Sequence, residues 1–137
     1  MFVSNGQPSY DPRVIRSMFP DSDTYQHPAL AELFDADLTQ LDTLPEDKYK
    51  LFEGVSALPH LTKDDSPVML IYTRAFDAPV TDRGAGIHHS KFGVMLKEQM
   101  DKLGIPCEVD ADGKRLGGGT PTEPIDFLRN VFKLPRS

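Results

Sequence analysis

The run Val68-Met69-Leu70-Ile71-Tyr72 contains no polar interruption and follows a turn-rich approach, Lys63-Asp64-Asp65-Ser66-Pro67. It has the length of a strand. A strand with one wet face alternates apolar and polar side chains, and this one does not. It therefore predicts a strand covered on both faces, as in parallel α/β sheets. Further on, Phe92, Met95, Leu96, Met100 and Leu103 recur at helical spacing, with Lys97, Glu98, Asp101 and Lys102 elsewhere around the turn. Gly104 stands where a C-terminal glycine ends a helix. Residues 105–109 read as a second, weaker strand. Asp112-Gly113 and Gly117-Gly118-Gly119 predict a flexible turn, and Pro124 opens a last helix with Ile125, Leu128, Val131 and Phe132 on one face. Residues 67–137 thus predict a βαβα unit, with a long loop over residues 73–89.

The first 66 residues read differently. Met1-Phe2-Val3 looks like the tail of a strand running into a turn. Proline-punctuated short helices follow at residues 11–19, with Asp11 as N-cap and Pro12 in the first turn, and at residues 27–34, 37–41 and 45–52. None is long enough to be stable alone in water, so they need a platform. Helices between strands make crossovers between parallel neighbours. The minimal architecture is a single α/β domain: about three parallel strands with helices covering part of both faces.

A length of 137 residues fits one domain, and its 39% hydrophobic content is that of an ordinary soluble globular protein. The net charge of −6 excludes a sequence-independent grip on nucleic acid, which needs clustered Lys and Arg. No apolar run approaches the roughly 18 residues of a membrane span. Met1 is not followed by the basic start and apolar stretch of a signal peptide, so the default expectation is a soluble, cytoplasmic chain. One cysteine, Cys107, excludes an internal disulfide framework and a Cys-built metal site. In a predicted strand it reads as a small buried apolar group.

The order of elements resembles the C-terminal half of an α/β-hydrolase, on the carboxylesterase, lipase and feruloyl-esterase-like side of that superfamily. Residues 64–72 resemble the approach to the penultimate strand, Ala75-Phe76-Asp77-Ala78-Pro79-Val80 the loop carrying the acid residue, and residues 92–105 the following helix with its Leu-Gly-Ile exit. Ile125-Asp126-Phe127-Leu128-Arg129 resembles the final helix, and residues 6–12 the segment after the strand that follows the nucleophile's helix. The resemblance implies hydrolysis of carboxylic esters by a Ser-His-Asp mechanism, with Asp77 at the acid position. It also implies a Gly-x-Ser-x-Gly elbow and an oxyanion-hole segment, which belong to a half preceding Met1 and have no counterpart here. The histidine expected before the final helix is missing too: residues 112–120 hold none, and Thr120, which cannot act as a general base near neutral pH, stands about where it belongs. The expectation is a domain inactive alone, without cofactor or metal.

Taken by themselves, the residues favour a plainer role for Asp77, holding a turn before Pro79. His88 and His89 can be imagined with Asp77, Asp82 and His60 as a metal site, but the spacing lacks a helix-borne His-x-x-x-His. His89 or Ser90 reads equally as the cap of the helix beginning near Lys91. Gly117-Gly118-Gly119-Thr120 is not a phosphate-binding Walker loop, since no Lys-Ser or Lys-Thr follows in frame. Two rivals stand beside the hydrolase reading: a non-enzymatic binding module on an α/β scaffold, and a small acidic enzyme built around Asp77, His88 and His89. A sheet that begins at Met1 to Val3 would have an unpaired edge, so the partners expected are a second copy, pairing edge to edge through a two-fold axis, or a missing N-terminal hydrolase half.

Overall fold

The computed structural model describes residues 1–135. Its four strands, β1 (Phe2–Ser4), β2 (Val68–Tyr72), β3 (Cys107–Ala111) and β4 (Lys114–Arg115), form one sheet in that spatial order. β1, β2 and β3 are mutually parallel, with Val3 opposite Leu70 and Leu70 opposite Val109. β4 adds to the three strands expected from sequence. It pairs antiparallel with β3 through a tight two-residue turn, where Asp112 and Gly113 both take positive φ. That backbone matches the right-handed twist of a hairpin, so Asp112-Gly113 is a defined turn and not a flexible one.

Among the described residues five α-helices lie between strands, α1 (Pro12–Met18), α2 (Pro28–Phe34), α3 (Glu46–Val55), α4 (Arg83–Ile87) and α5 (Lys91–Leu103), and a sixth, α6 (Pro124–Phe132), follows the last one. Asp11 caps α1 as expected, accepting from the Arg13 amide at 2.9 Å, and also holds the Arg13 guanidinium at 2.6 Å. Pro12 fills the first turn, where its missing N–H leaves nothing unsatisfied. Short 3-10 turns at Thr24–Gln26, Leu38–Thr43 and Leu58–His60 fill the intervals. The stretch expected as one long loop over residues 73–89 contains α4. Asp82 caps it, accepting from the Ala85 amide at 2.7 Å. Two glycines in five residues hide this helix from any propensity argument. Gly86 is needed there, because a Cβ would overlap the Thr24 side chain.

β2 is buried at every position except Ile71, which is half-buried, so its uniform apolar character does report cover on both faces. On one face Val68, Leu70 and Tyr72 pack with Cys107 and Val109 of β3 and with Leu96 and Met100 of α5. α5 lies so close that a Cβ on Gly93 would collide with Tyr72 and Val109. Gly104 ends it in the left-handed conformation, as its position in the sequence predicts.

The short N-terminal helices centre on a cluster that holds no strand residue. They make a core of their own from Ile15, Phe19, Leu30, Phe34, Leu38, Leu41 and Phe52, joined by Phe92 from the first turn of α5. Phe34 and Phe52 meet edge to face at 4.5 Å, and Phe19 meets Phe92 at 6.0 Å. α5 thus serves two cores, with Phe92 in one and Leu96 and Met100 in the other. Leu103, expected in its apolar stripe, is exposed. α6 departs further from expectation: Phe127 is its buried residue, while Ile125 and Phe132 stay 55% and 67% exposed. Of the expected stripe, Leu128 and Val131 are half-buried, so the stripe is covered on one side only.

Candidate functional site

In parallel sheets ligands and catalytic groups gather beyond the carboxyl ends of the strands. The loop leaving β2 carries Asp77, in a turn closed by the Ala78 amide donating to Ala75 O at 3.2 Å. Asp77 is exposed, and its side chain makes no hydrogen bond or ion pair among the described residues. The turn-holding role that the residues suggested for its side chain is therefore not what the geometry contains. Two side chains at the entrance of α5 hold the turn instead. His89 Nε2 donates to Ala78 O at 2.8 Å, and Ser90 Oγ donates to Ala75 O at 3.1 Å.

His89 is the best-defined polar residue of this region. It is 1% exposed and stacks edge to face on Phe19 at 5.4 Å. Its Nδ1 accepts from the Lys91 amide at 3.0 Å, so His89, not the Ser90 hydroxyl, caps α5. With Nδ1 an acceptor and Nε2 a donor, the ring is fixed as the neutral Nε2–H tautomer. Both nitrogens are occupied by backbone, which leaves none to take a proton from a nucleophile. The other histidines are no better placed. His27 Nδ1 caps α2 through the Ala29 amide, His60 Nε2 lies 3.2 Å from Glu53 O, and His88 is exposed at the end of α4.

Asp77, Asp82, His60, His88 and His89 are not gathered into one cluster. Among the described residues no group of three or more His, Cys, Asp or Glu side chains could hold a metal ion. The Asp82 carboxyl is held below the usual carboxylate range, first by the Ala85 amide and then by the Thr81 hydroxyl. That is the signature of a helix cap. Burial pushes the Cys107 thiol up to about 11, which makes it inert near neutral pH. Gly117, Gly118 and Gly119 all have positive φ, and with exposed Thr120 they form the link to α6.

A charged constellation that the sequence reading missed lies on the β3–β4 hairpin. Asp110 is only 3% exposed. Arg115 Nε donates to Asp110 Oδ1 at 3.1 Å, and its Nη2 donates to Glu108 Oε2 at 2.7 Å. The guanidinium is held more firmly protonated than usual, chiefly by Asp110. The signal was present as Glu108 and Asp110 alternating in a strand, with an arginine just past an Asp-Gly turn. This trio pins the hairpin and presents no free nucleophile or base.

A cavity of about 480 Å³ lies elsewhere, beneath β1 on the α5 face. Val3, Leu70, Leu96, Met100 and Gln7 help to line it, and Gln7 Nε2 is buried there without a partner among the described residues.

Asp77→Asn is expected to leave the melting temperature essentially unchanged, since an exposed substitution away from caps and networks stays within about 0.5 kcal/mol. A fall of several degrees in a thermal melt would show that the carboxylate holds structure. No helix among the described residues is long and apolar enough to cross a membrane. No protein-family model, curated protein or solved structure matches the chain.

Proposed function

We propose that this chain is the C-terminal part of an α/β-hydrolase-type sheet, from the carboxylic ester hydrolase side of that superfamily, with Asp77 at the acid position, and that it hydrolyses no ester by itself. The observation carrying this reading is the loop after β2. An exposed carboxylate stands at the carboxyl end of a parallel strand, on a turn fixed at both ends by His89 and Ser90. A catalytic acid needs that kind of rigid support, because its work is to orient and charge-stabilise an imidazole. The imidazole and the nucleophile have to come from elsewhere. Each histidine of this chain is engaged with backbone or stands at a helix end, and Gly-x-Ser-x-Gly does not occur. On this reading the chain acts with a second polypeptide segment that supplies the hydrolase's first half, or persists as a scaffold that associates with itself.

Incubation with short-chain aryl esters and a serine-directed phosphonate tests the proposal. Neither turnover nor labelling is expected, and either one would overturn it. Reading the DNA that precedes the Met1 codon tests the relationship itself: an in-frame Gly-x-Ser-x-Gly segment is the result that supports it.

The apolar cavity beneath β1 favours a second reading, a non-enzymatic binding module. Its volume falls within the range of small-molecule sites. Saturable binding of apolar probes there, with ester hydrolysis still absent, would favour this reading over the first.

A further inference from the structure

We propose that two copies of this chain pair through β1, antiparallel about a two-fold axis at Val3, to make one continuous eight-stranded sheet from two four-stranded ones. The proposal goes beyond the hydrolase reading and does not rest on it.

Among the described residues β1 ends the sheet and has β2 as its single neighbour. The inward-facing residues are known from their bonds: Met1 O accepts from the Met69 amide, and the Asn5 amide donates to Ile71 O, both at 2.8 Å. Backbone groups alternate along a strand, so those of Phe2 and Ser4 face out from the edge. Phe2 is 45% exposed and Ser4 is exposed as well.

The occupant follows from the symmetry of this edge. The outward residues stand one on each side of Val3. A two-fold axis at Val3 sets Phe2 opposite Ser4 of the second copy, and Ser4 opposite its Phe2. Each such pair exchanges both of its N–H···O bonds, so every outward donor and acceptor is used and the association closes. Side chains agree with this register. The aromatic ring of Phe2 falls across from a small serine, and Val3 meets Val3 on the face that lines the cavity. Edges that avoid pairing carry charged side chains or proline, and residues 1–7 contain neither; the Met1 ammonium is turned to Pro67 O on the β2 side, at 2.6 Å. The two cavities come to lie side by side on one face of the joined sheet, flanking the Val3 pair.

The test uses the whole chain. Sedimentation across a wide micromolar range is expected to show the mass doubling as concentration rises. Amide exchange at Phe2 and Ser4 should slow in step with that doubling. Opposed residues at the axis have Cα atoms about 4.5 Å apart, within disulfide range. Val3→Cys should therefore cross-link to itself under oxidised glutathione, about ten-fold faster than Phe2→Cys or Ser4→Cys, whose equivalents are displaced along the strand beyond the roughly 7 Å limit. Mixing Phe2→Cys with Ser4→Cys should restore the cross-link. A monomer at every concentration overturns the proposal. So does a dimer in which the three cysteines cross-link equally, or in which the Phe2 and Ser4 amides of the unaltered chain exchange freely. The exchange measurement stands even if a cysteine variant misfolds. None of these outcomes bears on ester hydrolysis.

Discussion

Leu70→Asp is expected to abolish the cooperative unfolding transition. Leu70 is 2% exposed, at the centre of the middle strand of the three parallel ones, with Val3 and Val109 as its lateral neighbours. Its side chain points into the core shared with Leu96 and Met100. The buried residues of that core are all uncharged, and the nearby Lys97 ammonium is already held by Asp101 and Cys107 O, so an aspartate there is either a buried charge or a protonated acid in apolar surroundings. Either costs several kcal/mol, set against a total stability of about 5–15 kcal/mol for a domain. Circular dichroism against temperature checks this. A folded, soluble Leu70→Asp protein with a sharp melt would mean that the strand is not interior. Ile71→Lys is the matched control: it sits one residue along, on the opposite face and only half-buried, where a lysine stem can lie on apolar surface and reach its head toward water.

Arg115→Met is the second large effect, expected to cost about 3–5 kcal/mol because it strips the partner from a buried carboxylate. The Asp110 side chain is 4% exposed and that of Arg115 is 21% exposed, so solvent screens the pair only weakly. The asymmetry matters more than the pair's own worth. Replacing both partners by apolar groups of similar size can be nearly neutral, whereas removing one leaves a desolvated charge. Urea denaturation of Arg115→Met, Asp110→Leu and the double variant forms the required cycle. The double variant should recover most of the loss. Additive losses would show that Arg115 acts through Glu108 and solvent instead of through Asp110.

What the sequence made legible is what local chemistry decides. β2 follows from a run without polar alternation, α5 from its apolar spacing and Gly104, and the start of α1 from Asp11-Pro12. What escaped depends on contacts made at a distance. α4 has a poor sequence for a helix and forms where Gly86 can press against Thr24. β4 is two residues long and exists because β3 is there to pair with it. For α6, periodicity gave the helix, but the face was turned: Phe127, outside the expected stripe, is the buried residue, and of the stripe only Leu128 and Val131 are half-buried. The separate core of the short helices was half-visible in Ile15 and Phe19, and in Leu30 and Phe34, each pair four apart and so on one helix face.

The candidate site divides the same way. Asp77 was placed on its loop correctly, because a loop after a buried strand is a matter of order along the chain. The capping of α5 by His89 was read, as one of two candidates; its other bond was not, since the acceptor, Ala78 O, is a backbone atom eleven residues away. A histidine that looked like a reagent is a fastener.

The register of β1 against β2 also sets an order in time. Phe2 pairs with Met69, so the whole helical segment must be looped out before that contact exists. The helical cluster and the β2–α5–β3 unit close much shorter loops, so both have contacts to form first. β1 therefore docks late and, being only three residues long, leaves early: hydrogen exchange should find it opening at a fraction of the free energy that protects β2 and β3. The strand that docks last in folding is thus one of the two that border the outside world.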